Sequence, residues 1–161
     1  MILKQIEEIT KIRDSAQLVS KTLGLMAREI KPGVNSLSLD KIAEEFILDN
    51  DAKPGFKGYN NFPNTLCVSV NNQVVHGIPC SEPLRDGDII SVDCGVIKDG
   101  YYGDHAYTFK VGEVSEKIEK LLNITKESLY VGIKKMQINN RVGDIGNAIQ
   151  DYINQHGYGI V

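Results

Sequence analysis

Along the first thirty residues, Ile6, Ile9, Ile12, Ala16, Val19, Leu23, Met26 and Ile30 recur at steps of three and four, predicting one amphipathic helix. Pro32-Gly33 breaks it. Ser36 or Ser38 is placed to cap a second helix with the stripe Leu39, Ile42, Ala43, Phe46 and Ile47, and Pro54-Gly55 ends that unit. From Leu66 the period falls to that of a strand. TLCVSV and QVVHGI flank Asn71-Asn72, and DIISVDCGVI and YYGDHAYTFKV flank Asp99-Gly100, so two hairpins are predicted, the second by the stronger turn signal. Helical spacing returns near Ser115 and runs through IEKLLNITKESLYVGIKKM. A last helix over roughly 142–155 ends at His156-Gly157, with the glycine as C-cap.

Residues 30–47 align without a gap on 136–153: Leu39 falls on Ile145, Ile42 on Ala148, Ala43 on Ile149, Phe46 on Tyr152 and Ile47 on Ile153. Gly33 falls on Asn139, and both residue types accept left-handed backbone. Any two amphipathic helices share such a stripe, so common periodicity and internal duplication both explain the match. A duplication would give each half two helices followed by hairpins. The second half would then stop after its helices. The final GYGIV alternates like the start of a strand, so the sequence is expected to be cut short.

Composition narrows the class. A chain of 161 residues is long enough for one globular domain with a core, here expected to span 1–161, with a first half over about 1–112 and a second beginning at about 113. Hydrophobic residues at 42% and charged ones at 24% sit near the soluble average and argue against disordered, coiled-coil and membrane classes. A net charge of −3 with mixed signs argues against a nucleic-acid binder built on a broad basic surface. Lys4, Glu7 and Glu8 leave no secretory apolar region at the N-terminus. Cys67, Cys80 and Cys94 are odd in number and lack CxxC spacing, so a cytoplasmic protein with reduced thiols is expected.

The chemistry sits in the second hairpin. Counting outward from a two-residue Asp99-Gly100 turn, Lys98 meets Tyr101, Gly95 meets Asp104 and Asp93 meets Ala106. Asp93, Gly95 and Asp104 then share one face, with the two carboxylates as diagonal neighbours roughly 7 Å apart at Cβ. Bare carboxylates there repel, and each loses hydration if buried. A divalent cation between them resolves this with hard oxygen ligands. A solvent-exposed face, or a pair sharing one proton, would resolve it too. In the first hairpin, a two-residue Asn71-Asn72 turn sets Cys67 opposite His76, so a cysteine–histidine nucleophile must be weighed, although nothing in the sequence activates the thiol. His105 points away from the carboxylate face, and His156 reads as a last-turn residue favoured by the helix dipole.

The segments NFPNTLCVSVNNQVVHGIP and LRDGDIISVDCGVIKDGYYGDHAYTF resemble the first half of the type I methionine aminopeptidases, from the first helix to Val161. That resemblance implies an α/β (more narrowly α+β) pita-bread fold, with antiparallel hairpins packed on pairs of helices. It implies removal of the initiator methionine from nascent polypeptides by metal-activated water. Asp93 and Asp104 then correspond to metal ligands for two divalent ions, drawn from manganese, iron, cobalt or zinc, with Gly95 leaving room for metal. His76 corresponds to the histidine that contacts substrate and transfers a proton, and Tyr59, Phe62 and Cys67 to the methionine pocket. The family's remaining histidine and two glutamates match no residue here. A ribosome contact accompanies the implied function; membrane and sequence-specific nucleic-acid partners do not. A non-catalytic relative that binds peptide or ribosome is the other reading. A proline-directed peptidase of the same fold is disfavoured by the VHGIP context.

Overall fold

A computed structural model describes residues 3–161, which form two compact units, one ending at Val114 and the other beginning at Ser115. Residues 1 and 2 of the predicted first helix lie outside the described residues. Helix α1 spans Ile6–Glu29 and opens with a capping box in which the Gln5 N–H donates to Glu8 Oε2 at 2.7 Å. Its apolar stripe is buried only from Ser15 onward, whereas Ile6 is 82% exposed. The reason is where the helix docks. Ser15 Oγ donates to the Tyr101 carbonyl (2.9 Å) beside the Asp99-Gly100 turn, and the Tyr101 hydroxyl donates to Glu8, so the turns before Ser15 lie at the end of the second hairpin and not over its body.

Helix α2 spans Ser36–Asp49. Its cap is Asn35 and neither predicted serine: Asn35 Oδ1 accepts from the Ser38 N–H at 2.9 Å. Ser36 is instead turned inward, and its hydroxyl accepts from the Cys80 N–H at 2.8 Å.

Four strands follow in one antiparallel sheet: β1 (Lys53–Pro54), β2 (Leu66–Val70), β3 (Ile89–Lys98) and β4 (Tyr101–Lys110). β3 is the centre, with β2 and β1 end to end along one edge and β4 along the other. The Asp99-Gly100 hairpin forms as the sequence predicts. Both turn residues are left-handed (φ 51° and 81°), and Lys98 pairs with Tyr101.

The Asn71-Asn72 hairpin does not form. Asn71 does turn the chain (φ 53°), and the Gln73 N–H reaches the Val70 carbonyl at 3.1 Å. The chain beyond then leaves the sheet: Val74 and Val75 are exposed, and His76 adopts φ 57°, which no strand accepts. β2 pairs with β3 instead, so Cys67 faces Asp93 rather than His76.

One face of the sheet carries Leu66, Val68, Ile90, Val92, Cys94 and Val96 into a core shared with Val19, Leu23 and Met26 of α1 and Leu39, Ala43 and Ile47 of α2. Gly103 lets α1 lie against β4, because a Cβ there would stand 2.5 Å from the Ala16 nitrogen.

The second unit holds α3 (Glu116–Ile133), capped by Ser115 and ending three residues before the expected Met136, and α4 (Val142–Gln155), which spans the predicted range; its C-cap is His156, and the expected cap Gly157 follows in left-handed conformation (φ 76°). Gly132 of α3 packs on the side chains of Ile149 and Ile145. The terminal GYGIV forms no strand. The 106-residue offset of the sequence alignment maps the Asn35 cap onto the Arg141 cap and the 14 residues of α2 onto the 14 of α4. Gly33 and Asn139 are both left-handed, at φ 90° and 76°.

Candidate metal centre

The face of the sheet turned away from α1 and α2 is polar at its middle. The register sets Cys67 beside Asp93, Asp93 beside Ala106, and Gly95 beside Asp104, so these side chains share one side. Asp93 is half-buried and Asp104 exposed. The exposed-face alternative therefore describes Asp104 and fails for Asp93.

Asp93 Oδ1 is fully enclosed and has no hydrogen-bond partner. Burial first, then the charge and close approach of Asp104, push the Asp93 carboxyl above its ordinary range; the nearby His76 imidazole and the Cys94 N–H oppose this. An enclosed acceptor without a donor, beside a second carboxylate, is an arrangement that a divalent cation completes. The residues present thus fit a hard metal ion as part of its ligand set. Among the described residues, no group of three or more His, Cys, Asp or Glu side chains is arranged to hold one. In the absence of metal, a proton shared by the two carboxyls relieves the same repulsion.

Cys67 is buried opposite Asp93. Desolvation, followed by the charges of Asp93, Asp104 and Asp40, pushes its thiol up to about 11. A thiol that holds its proton this tightly is no nucleophile at neutral pH, so the cysteine–histidine alternative falls. His76 is exposed, but it lies close enough to Asp93 to act on that carboxylate.

Tyr59 and Phe62 lie in the loop between β1 and β2, at a 3-10 turn over Tyr59–Asn61, where Tyr59 is 72% exposed and Phe62 partly buried. The residue that this loop brings against the carboxylate face is Phe56. A Cβ at Gly95 would stand 2.5 Å from Phe56 Cε1, so the space left by this glycine accommodates a phenyl ring that the sequence reading did not place there. Phe56 follows Pro54-Gly55 in a segment without periodicity, and only that Pro-Gly kink hinted at a reversal bringing it back over the sheet. Asp40 was missed as well. Its buried carboxylate accepts from the Thr65 and Leu66 N–H groups (2.9 and 2.8 Å) and from the Asn64 amide, which fixes the chain entering β2 just before Cys67. Its sequence signal was an acid wedged between Leu39 and Ile42 on an otherwise apolar stripe.

The pattern of Metallopeptidase family M24 matches residues 10–161. The chain belongs to that family. It is 54% identical over 159 residues to a methionine aminopeptidase of Borreliella burgdorferi, covering 99% of this chain and 63% of that protein. It is 48% identical over 161 residues to one of Clostridium perfringens, covering 100% of this chain and 65% of that protein. The crystal structure of methionine aminopeptidase from Rickettsia prowazekii superposes with a TM-score of 0.98 at 35% identity, over 100% of this chain and 65% of that one. The chain therefore has the pita-bread architecture over the part it shares, and spans less than two thirds of the length of these relatives. Membership of a metallopeptidase family implies a divalent metal cofactor for the M24 chain. No described helix is long and apolar enough to cross a membrane.

Proposed function

We propose that this M24 protein is a methionine aminopeptidase that removes the N-terminal methionine of nascent polypeptides in the cytoplasm. The observation carrying this reading is the enclosed, partnerless Asp93 Oδ1 beside Asp104 on the open face of the sheet. The relatives' shared name supports it.

In this reading Asp93 and Asp104 hold divalent metal, two ions when the ligand set is complete, and the metal when bound supplies Lewis-acid activation of water and of the scissile carbonyl. The chain's own groups do the rest. His76 contacts the substrate near the carboxylates and holds or passes a proton at its imidazole. Cys67, protonated and uncharged, forms part of an apolar slot for the thioether side chain with Tyr59 and Phe62. Phe56, over Gly95, keeps water from the side of the carboxylates that it covers. The two units read as two halves of one duplicated domain, supported by the paired left-handed residues Gly33 and Asn139. A ribosome contact belongs to the same proposal.

Methionine release from a Met-Ala-Ser peptide, with manganese or cobalt added, tests it. The protein releases methionine with added metal, and Asp104→Ala lowers the rate at least about a hundredfold. Metal-dependent release by Asp104→Ala at the parent rate would remove these carboxylates from the reaction. No release with any metal would mean that these 161 residues are part of an enzyme without its remaining metal ligands, or a non-catalytic peptide- or ribosome-binding module.

A further inference from the structure

We propose that Ser69 is a positioning residue for His76, its hydroxyl holding the imidazole on the face of the sheet that carries Cys67, Asp93 and Asp104. The catalytic meaning of this clamp rests on the function proposed above, although the clamp itself is a property of the fold. His76 is left-handed (φ 57°), a conformation that a non-glycine residue keeps only where its surroundings over-determine it. Two hydrogen bonds to the next residue do so. The Val68 N–H donates to the Gly77 carbonyl at 2.8 Å, and the Gly77 N–H donates to Ser69 Oγ at 3.1 Å. Glycine is required at 77 because a Cβ would stand 2.1 Å from the Val68 carbonyl oxygen.

The loop has two fastenings with a slack stretch between them. At its start, Asn71 donates its N–H to the Ile89 carbonyl, accepts from the Ile89 N–H and donates its amide to Asp88. Val74 and Val75 then run exposed, outside any strand. At its end the Gly77 pair closes the loop onto β2. Ser69 is 4% exposed and lies two residues from Cys67 on the same strand, so its side chain shares the carboxylate face. The backbone bond from Val68 fixes how far the loop stands from β2. The bond from Ser69 fixes the rotation of the His76–Gly77 peptide, and with it the direction of the imidazole.

The test uses the isotopically labelled full chain and its Ser69→Ala and Ser69→Thr variants. The readouts are exchange of the Gly77 amide with solvent and the three-bond amide–Hα coupling of His76. In Ser69→Ala, Gly77 exchange rises about tenfold and the His76 coupling leaves its left-handed value, while the Val92 and Cys94 amides stay within about twofold of the parent. Ser69→Thr, which keeps the hydroxyl, restores both signals. An unchanged Gly77 amide and His76 coupling in Ser69→Ala overturns the proposal. So does a rise shared equally by Val92 and Cys94, which would make Ser69 a general stabiliser. The functional reading fails separately: parent-rate methionine release by His76→Ala ends the catalytic role of His76, and Gly77 exchange still decides the clamp.

Discussion

β3 and β4 are each ten residues long and pair along their whole length, yet they occupy different environments. Every residue of β3 is buried or half-buried. On β4 the run Asp104, His105, Ala106 and Tyr107 is exposed on both faces. The cause is position in the sheet. β3 has β1 and β2 on one edge and β4 on the other, whereas no described strand pairs with the outer edge of β4. The two carboxylates inherit this asymmetry. Asp93, on the inner strand, bears the desolvation and the partnerless oxygen; Asp104, on the outer one, meets solvent. A carboxylate pair that looks symmetric in sequence is therefore one enclosed group and one open group.

The glycines of the hairpin test the contrast most sharply. Gly103 on β4 abuts the backbone of α1, and Gly95 on β3 abuts a phenyl ring. Gly103→Ala is expected to cost about 3 kcal/mol in urea unfolding, because a helix backbone must move; Gly95→Ala is expected to cost about 1 kcal/mol, because a ring can turn. Equal costs would mean that the two faces are equally rigid. Metal affinity comes next. Asp93→Asn and Asp104→Asn should each weaken manganese binding about tenfold or more, measured by titration with paramagnetic detection. A loss confined to one of them would break the shared site.

The smallest effect separates the two acids without metal. The folded Asp93 carboxyl holds its proton more tightly than the unfolded one, so its contribution to stability is complete below the ordinary carboxylate range. That contribution is lost as pH rises through the raised value. Asp93→Asn should therefore flatten the fall in urea midpoint of the metal-free chain between about pH 4 and 7. A fall as steep as the parent's would assign the loss to other groups.

Much of this hairpin could be read from sequence. An Asp-Gly turn fixes register by arithmetic, and register alone put Asp93, Gly95 and Asp104 on one face. Burial could not be read, because β3 and β4 alternate alike and only the number of neighbouring strands distinguishes them. The Asn71-Asn72 signal was true as a turn and misleading as a hairpin. Five residues of β2 found a longer apolar partner in β3, and the VVH segment was left outside the sheet. Phe56 and Ser69 were invisible for a related reason. Each acts through a contact between a loop and a strand, and such contacts leave no period in the chain.

Ser15 carries a consequence for how the chain is made. Its hydroxyl donates to a carbonyl 86 residues further on, and α1 finds its seat only when β4 exists. At about 5–20 residues per second, α1 leaves the ribosome about 4–17 s before its docking surface does. During that interval Leu18, Val19, Leu23 and Met26 have no sheet to cover. The hairpin itself closes in about 1–10 μs once made. Assembly of the first unit is thus paced by translation, and the α1 stripe is the segment that a holdase chaperone would meet first.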